Sequence, residues 1–206
     1  MIGMATKEVW TKIGVAAKNF LFLQEEDRIN MMKDLLECCD SQQQRGILSL
    51  FYIYGMRPAE LLTMVKADFS FRKNGEVWAN LPTAKTGNDK RMDRIIILDS
   101  SVPFMNEVMK YLDTLPYPNH PLIIGYKAPT VANKIIDIPK KRYEEKTGQK
   151  IVLTPYVFRK FRLSWLFNNG ANLNDILAWK GGRSLKPLET SYLFTRAVGK
   201  FKNSLT

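Results

Sequence analysis

Residues 154–162 read TPYVFRKFR and put Arg159, Lys160 and Arg162 within four positions. A threonine cap followed by proline marks a helix start at 155. The free N–H groups of such a start carry roughly half a positive charge. Three more cations repel that charge unless an anion sits among them, and helix starts bind phosphate for this reason. Tyr156, Arg159 and Lys160 are spaced i, i+3, i+4, so they share a side. A half-buried arginine needs a partner, and phosphate takes both its forked donors. The structural alternative is a carboxylate such as Asp175 or Glu189.

Three other stretches hold residues of the same chemical kind. In YGMRPAELL (54–62), Arg57 lies between a glycine that ends one helix and a proline that starts the next. A corner side chain can reach a ligand, and Glu60 stands three residues on to orient it. In LPTAKTGNDKR (81–91), Lys85 follows small residues in a loop between two strand patterns. In GGRSLKPLETSYLF (181–194), a Gly-Gly turn precedes Arg183, and Tyr192 follows in a short helix opened by Pro187. Taken singly, each has an ordinary reading: a capping arginine, a solvated lysine, a packing tyrosine.

The elements that must position these residues are mostly helical. Apolar spacing gives helices over 25–40, 42–55, 58–65, 101–115, 130–148 (disturbed near Pro139), 155–169, 172–180 and 187–195. Phe158, Phe161 and Trp165 lie on one face of the 155–169 helix, and Leu163 and Phe167 nearly opposite. That helix is therefore mostly buried. ADFSFRKNGEVWANL, with a turn at Lys73-Asn74-Gly75, and RIIIL (94–98) give a small antiparallel sheet. The fold class is α+β, mainly helical, with one small antiparallel β-sheet.

Charge narrows the partner. The 206 residues hold 31 Lys/Arg against 20 Asp/Glu, a net +11, and the pI is about 9.6. Residues 1–138 carry 17 Lys/Arg and 16 Asp/Glu; residues 139–206 carry 14 and 4. A field this concentrated suits a polyanion, most simply nucleic acid. The single histidine, His120, and the adjacent Cys38 and Cys39 argue against a zinc site or a Ser-His-Asp triad. The cysteines read as reduced packing residues. No apolar run reaches a membrane span, and MIGMATKEVW lacks a signal-peptide pattern. A cytoplasmic, nucleoid-associated protein is expected.

In this order and on these elements, the four stretches resemble the catalytic domain of the tyrosine recombinases, the phage-integrase-like site-specific DNA recombinases. YGMRPAEL resembles the family's first-arginine element, Gly-x-Arg-x-x-Glu-Leu. AKTG resembles its β-hairpin lysine. TPYVFRKFRLSWLFNNG resembles its second box, usually His-x-x-Arg at a helix start. GGRSLKPLETSY resembles the third, usually Gly-His with the nucleophilic tyrosine nine residues later, the spacing of Arg183 to Tyr192. The likeness spans about residues 24–195. Two positions depart from it: Tyr156 stands where His is usual, and Arg183 where His or Trp is usual. The family's archaeal viral and plasmid integrases vary at these positions, which implies an archaeal mobile element.

The resemblance implies a tyrosine-recombinase catalytic-domain fold over 24–206, with 1–23 as a lead-in and no N-terminal DNA-clamp domain. It implies a DNA strand-breaking and rejoining enzyme acting through a 3′-phosphotyrosyl intermediate. Tyr192 would be the nucleophile. Arg57 and Arg159 would hold the non-bridging oxygens, helped by Arg183 and Tyr156, and Lys85 would protonate the leaving 5′-oxygen. Glu60 would support Arg57. Lys160, Arg162, Lys180 and Lys186 would hold the DNA backbone. No metal or cofactor is required. The partners implied are double-stranded DNA and further copies of the chain, as a tetramer on DNA. The alternatives are a type IB topoisomerase-like enzyme and a non-catalytic DNA-binding protein on a degenerate recombinase fold.

Overall fold

The helix most deeply enclosed carries a largely apolar second half. QQQRGILSLFYIY forms α2 (Gln42–Tyr54), and residues 46–54 are all buried. Its start is capped by Ser41, whose hydroxyl accepts from the Gln44 N–H at 3.2 Å. In this computed structural model, residues 18–83, 93–127, 130–131 and 133–181 are described. Around α2 pack α4 (Met105–Asp113) and α6 (Pro155–Asn168). The other helices are α1 (Glu25–Glu37), the one-turn α3 (Pro58–Leu61), α5 (Ile138–Thr147) and α7 (Leu173–Lys180). α1 buries Met31, Met32, Leu35 and Leu36 and packs on α5; of the spacing Ile29, Met32, Leu35 and Leu36 that marks the helix in sequence, Ile29 is only partly buried.

A three-stranded antiparallel sheet lies beside the helices, in the order β2 (Phe69–Phe71), β3 (Glu76–Pro82), β4 (Asp93–Asp99). Val77, Ala79 and Leu81 of β3 face the core. They sit opposite Leu98, Ile96 and Arg94 of β4. Opposed residues share a sheet face, so Arg94 is a cation on the inward face. Ile95 and Ile97 point outward.

The sequence and the structure differ in four places. The helix expected over 58–65 stops at Leu61. The Thr63 hydroxyl turns back to the Glu60 carbonyl at 2.9 Å, and the Asp68 carboxylate takes the Val65 N–H; both compete with helix. The helix expected from 101 starts at Met105, because Asp99 captures the Ser101 N–H at 2.7 Å and Pro103 offers no donor. In 130–148 the disturbance is a π-turn, Asn133–Asp137, just ahead of Pro139 in α5. Finally, residues 18–22 of the expected lead-in join the body. Lys18–Asn19 (β1) pairs in parallel with Ile151–Val152 (β5). Phe20 is fully buried against Phe158 and Phe161, with ring centroids 5.1 and 5.5 Å away.

Cys38 and Cys39 are free thiols just beyond the end of α1. Burial pushes both up, Cys39 to about 12. Among the described residues no helix is long and apolar enough to cross a membrane. The 187–195 helix lies outside the described residues.

Candidate active site

The end of α2 organises the site. Gly55 stops the helix at φ 60°, and its N–H closes on the Phe51 carbonyl at 2.9 Å. A side chain there would also meet α6: a Cβ would lie 3.0 Å from Arg162 Cβ and 3.1 Å from Arg159 Cα. Glycine is thus needed for both conformation and approach. The close approach brings α6 and α7 donors onto the open carbonyls of α2. Arg162 donates to Tyr52 O through Nη2 at 3.0 Å. Trp179 Nε1 donates to Tyr54 O at 2.9 Å. Arg159 Nη1 donates to Gly55 O at 2.9 Å. Two cations therefore sit at the negative end of the α2 dipole. This answers the crowding in TPYVFRKFR: Arg159 and Arg162 serve the open end of another helix.

One carboxylate ties the cluster together. Glu60 has no exposed side-chain surface. Its Oε2 accepts the Arg57 N–H at 2.8 Å and caps α3, while its Oε1 accepts from Arg57 Nη1 at 2.6 Å. Arg94 Nη2 reaches Oε2 at 3.2 Å. Arg159 Nη1 stands 3.8 Å from the same oxygen, an ion pair beyond hydrogen-bond range. Glu60, rather than Asp175, is the carboxylate beside Arg159; Asp175 accepts from Asn172. Among the described residues, three guanidiniums surround the Glu60 carboxylate.

The three arginines differ in access. Arg57 keeps 26% of its side chain exposed and Arg159 only 4%. Arg159 also donates to Lys180 O at 2.6 Å, which fixes α7 against α6. Arg94 is enclosed, and burial pushes its guanidinium below the ordinary value against the opposing pull of Glu60.

The helix start itself matches the sequence. Thr154 accepts the Val157 N–H at 3.2 Å, and Pro155 occupies the first turn. Tyr156 is 48% exposed, and the Lys160 ammonium lies 4.8 Å from its ring centroid. Both apolar faces of α6 are covered, one by Phe20 and the α2 side, the other by Ile176 of α7.

Two cations expected on DNA are enclosed instead. Arg162 lies among Tyr52, Phe161 and Trp165, its guanidinium carbon 5.0–5.6 Å from their ring centroids. Burial lowers its pKa to about 10, with Tyr52 and Tyr54 opposing. It is charged at neutral pH and spent on Tyr52 O, so it builds the core in place of the expected backbone contact. Lys180 is also buried. Lys85, Arg183, Lys186 and Tyr192 lie outside the described residues.

Arg94 is the member of the node that sequence reasoning missed. RIIIL has no alternation to reveal which residues face inward. The signal lies in the pairing, since the alternating NGEVWANL strand sets the face of its neighbour.

No protein-family model and no curated protein matches the sequence. Solved structures do match. The Tn1549 transposon integrase, in complex with circular intermediate DNA, gives a TM-score of 0.64 at 12% identity, over 94% of this chain and 67% of that one. XerA recombinase gives 0.62 at 19% identity, over 89% and 62%. The fold is that of a tyrosine-recombinase catalytic domain. XerH site-specific recombinase, bound to its palindromic difH substrate, gives 0.59 at 16% identity, and this chain spans 53% of its length. Within this recombinase fold, Arg57 and Arg159 come from separate elements, 102 positions apart in sequence, and meet at Glu60.

Proposed function

We propose that this chain is a site-specific DNA recombinase that breaks and rejoins strands through a 3′-phosphotyrosyl intermediate on Tyr192. The observation that carries the reading is the cationic node: Arg57, Arg94 and Arg159 converge on one buried carboxylate at the end of α2. A phosphodiester is an anion whose two non-bridging oxygens suit forked donors.

In the proposed reaction the Tyr192 oxygen attacks the scissile phosphorus and releases its proton to solvent water. The P–O5′ bond breaks as the P–O(Tyr) bond forms. Lys85 supplies the proton that the leaving 5′-oxygen takes up. Arg57 and Arg159 face the oxygens whose charge grows in the transition state. Arg159 gives one N–H to Gly55 O and one to Lys180 O, two of the five donors of a guanidinium. Arg183 adds a donor. Tyr156, exposed at the α6 start, offers a phenol O–H donor where a histidine is usual in the family. The diester energy is kept in the phosphotyrosine, so neither ATP nor a metal is required. The wider interface is double-stranded DNA held by the basic final third, with several copies assembled on paired sites.

The test is covalent trapping. The 206-residue chain is incubated with a pool of nicked duplexes carrying a randomised core, in EDTA, and adducts are resolved on a denaturing gel and sequenced. A covalent protein–DNA band is expected, absent in Tyr192→Phe while DNA retention persists. A band of wild-type intensity in that variant removes Tyr192 from its role. The enclosure of Arg159 also favours a second reading, a DNA-binding protein without chemistry. DNA retention with no adduct in any pool member would establish that one.

A further inference from the structure

Arg94 belongs to no motif that suggested the function, yet it touches three segments at once. Nη2 donates to Glu60 at 3.2 Å. Nη1 donates to the Pro82 carbonyl at 2.7 Å and reaches the Thr83 hydroxyl at 3.3 Å, at the end of β3. The third segment is Gly181, at φ 66° after α7. A Cβ there would lie 2.7 Å from Arg94 Nη1 and 2.9 Å from Thr83 Oγ1. Only a glycine lets the α7 end come so near. In sequence, Lys85 follows Thr83 by two residues and Arg183 follows Gly181 by two. An inward-facing arginine on a strand with only 9% of its side chain exposed costs desolvation that an apolar residue would avoid. Packing alone does not call for it.

We infer that Arg94 is a positioning residue for strand cleavage: it fixes the stem from which Lys85 departs and the Gly181 turn to the Glu60 node that holds Arg57 and Arg159. The inference rests on the recombinase reading above. A planar fork can bond a carboxylate on one side and a carbonyl and hydroxyl on the other, whereas an ammonium cannot span them. Arg94 touches no DNA in this account. It acts through the lysine that protonates the leaving oxygen.

This gives a readout that a merely structural role would not move. The trapped duplex is synthesised with either oxygen or sulfur at the bridging 5′ position of the scissile phosphate. A thiolate leaves without a proton, so the sulfur substrate bypasses the general acid. Single-turnover cleavage is measured for wild type, Arg94→Gln and Arg94→Lys, below each protein's thermal midpoint, with DNA affinity measured alongside. Both variants are expected to lose about 30-fold or more on the oxygen substrate and about threefold or less on the sulfur substrate, since a general acid is worth about 10²–10⁴-fold. DNA affinity is expected to stay within about threefold of wild type, because so little of the side chain is exposed. Arg94→Lys keeps the charge beside Glu60 and carries the test if Arg94→Gln does not fold. Equal losses on both substrates, or no loss on either, overturn the inference while leaving the recombinase reading intact. Absence of cleavage by the wild type on both substrates overturns that reading, and this inference with it.

Discussion

Two charged regions of the molecule behave in opposite ways. At the end of α2, Glu60, Arg57, Arg94 and Arg159 form a largely enclosed node whose donors are aimed at named acceptors. Between α1 and α5, Arg142 meets Asp40 and Lys146 meets Glu37, all on the open surface. The excess of cations after residue 138 does not distinguish the two. Arg142 and Lys146 count toward it as fully as Arg159, while Arg57 and Arg94 lie in the first two thirds, which are nearly neutral. Burial separates them. A charge taken out of water costs several kcal/mol unless its partners are well placed, so an enclosed cluster marks where geometry is being held. A surface pair marks little.

The largest effect should come from removing the centre of the node. Glu60→Ala leaves three guanidiniums facing one another without their shared acceptor. Breaking one buried pair costs about 3–5 kcal/mol, which for a domain of this size lowers the thermal midpoint by roughly 6–20 °C. Glu60→Gln keeps the shape and one acceptor and should recover part of that loss. Differential scanning calorimetry of both variants checks it; an unchanged midpoint in Glu60→Ala would mean that the node contributes nothing to folding.

A smaller loss is expected from Gly55→Ala, which tests the node by its approach rather than its charge. The left-handed backbone disfavours alanine, and the new methyl would press on Arg159 and Arg162 at about 3 Å. Strain of this kind costs of order 1–3 kcal/mol. The loss should be accompanied by faster hydrogen exchange at the end of α7, because Arg159 links Gly55 O to Lys180 O. A stability loss with α7 protection unchanged would uncouple Gly55 from that link.

How much of this was legible beforehand varies with the physics. α2 and α6 were readable because their caps are local: Ser41, Gly55, Thr154 and Pro155 act within a few residues. The antiparallel sheet was readable from its turn and its strand patterns. The β1–β5 pairing was not, since two-residue strands carry no period. Of the candidate site, Arg57 and Glu60 could be paired from their spacing, because a capping carboxylate three residues on is local chemistry. The target of Arg159 could not, since Gly55 and Lys180 lie on other elements. Arg162 misled for a related reason: helical spacing gives the direction of a side chain, not what stands opposite. There, the open carbonyl of another helix took the place expected of a phosphate.

The smallest effect is expected on the exposed side of the comparison. Arg142 donates to the Asp40 carboxylate and, at 3.3 Å, to Cys38 O at the end of α1. The Asp40 hydrogen bond holds the Arg142 guanidinium above its ordinary value, which taken alone argues for a stabilising pair. Its surroundings argue otherwise. The two side chains are 46% and 51% exposed, so water and salt screen the attraction, and ordering two flexible chains offsets what is left. Arg142→Ala should therefore leave the thermal midpoint unchanged within error, and a double-mutant cycle with Asp40→Ala should give no measurable coupling at 0.15 M salt. Repeating the cycle at about 0.01 M, where the screening length is about 30 Å, should bring out a small favourable coupling. A strong coupling that survives high salt would place this pair in the same class as the Glu60 node, and exposure would no longer separate the cations that hold geometry from those that only add charge.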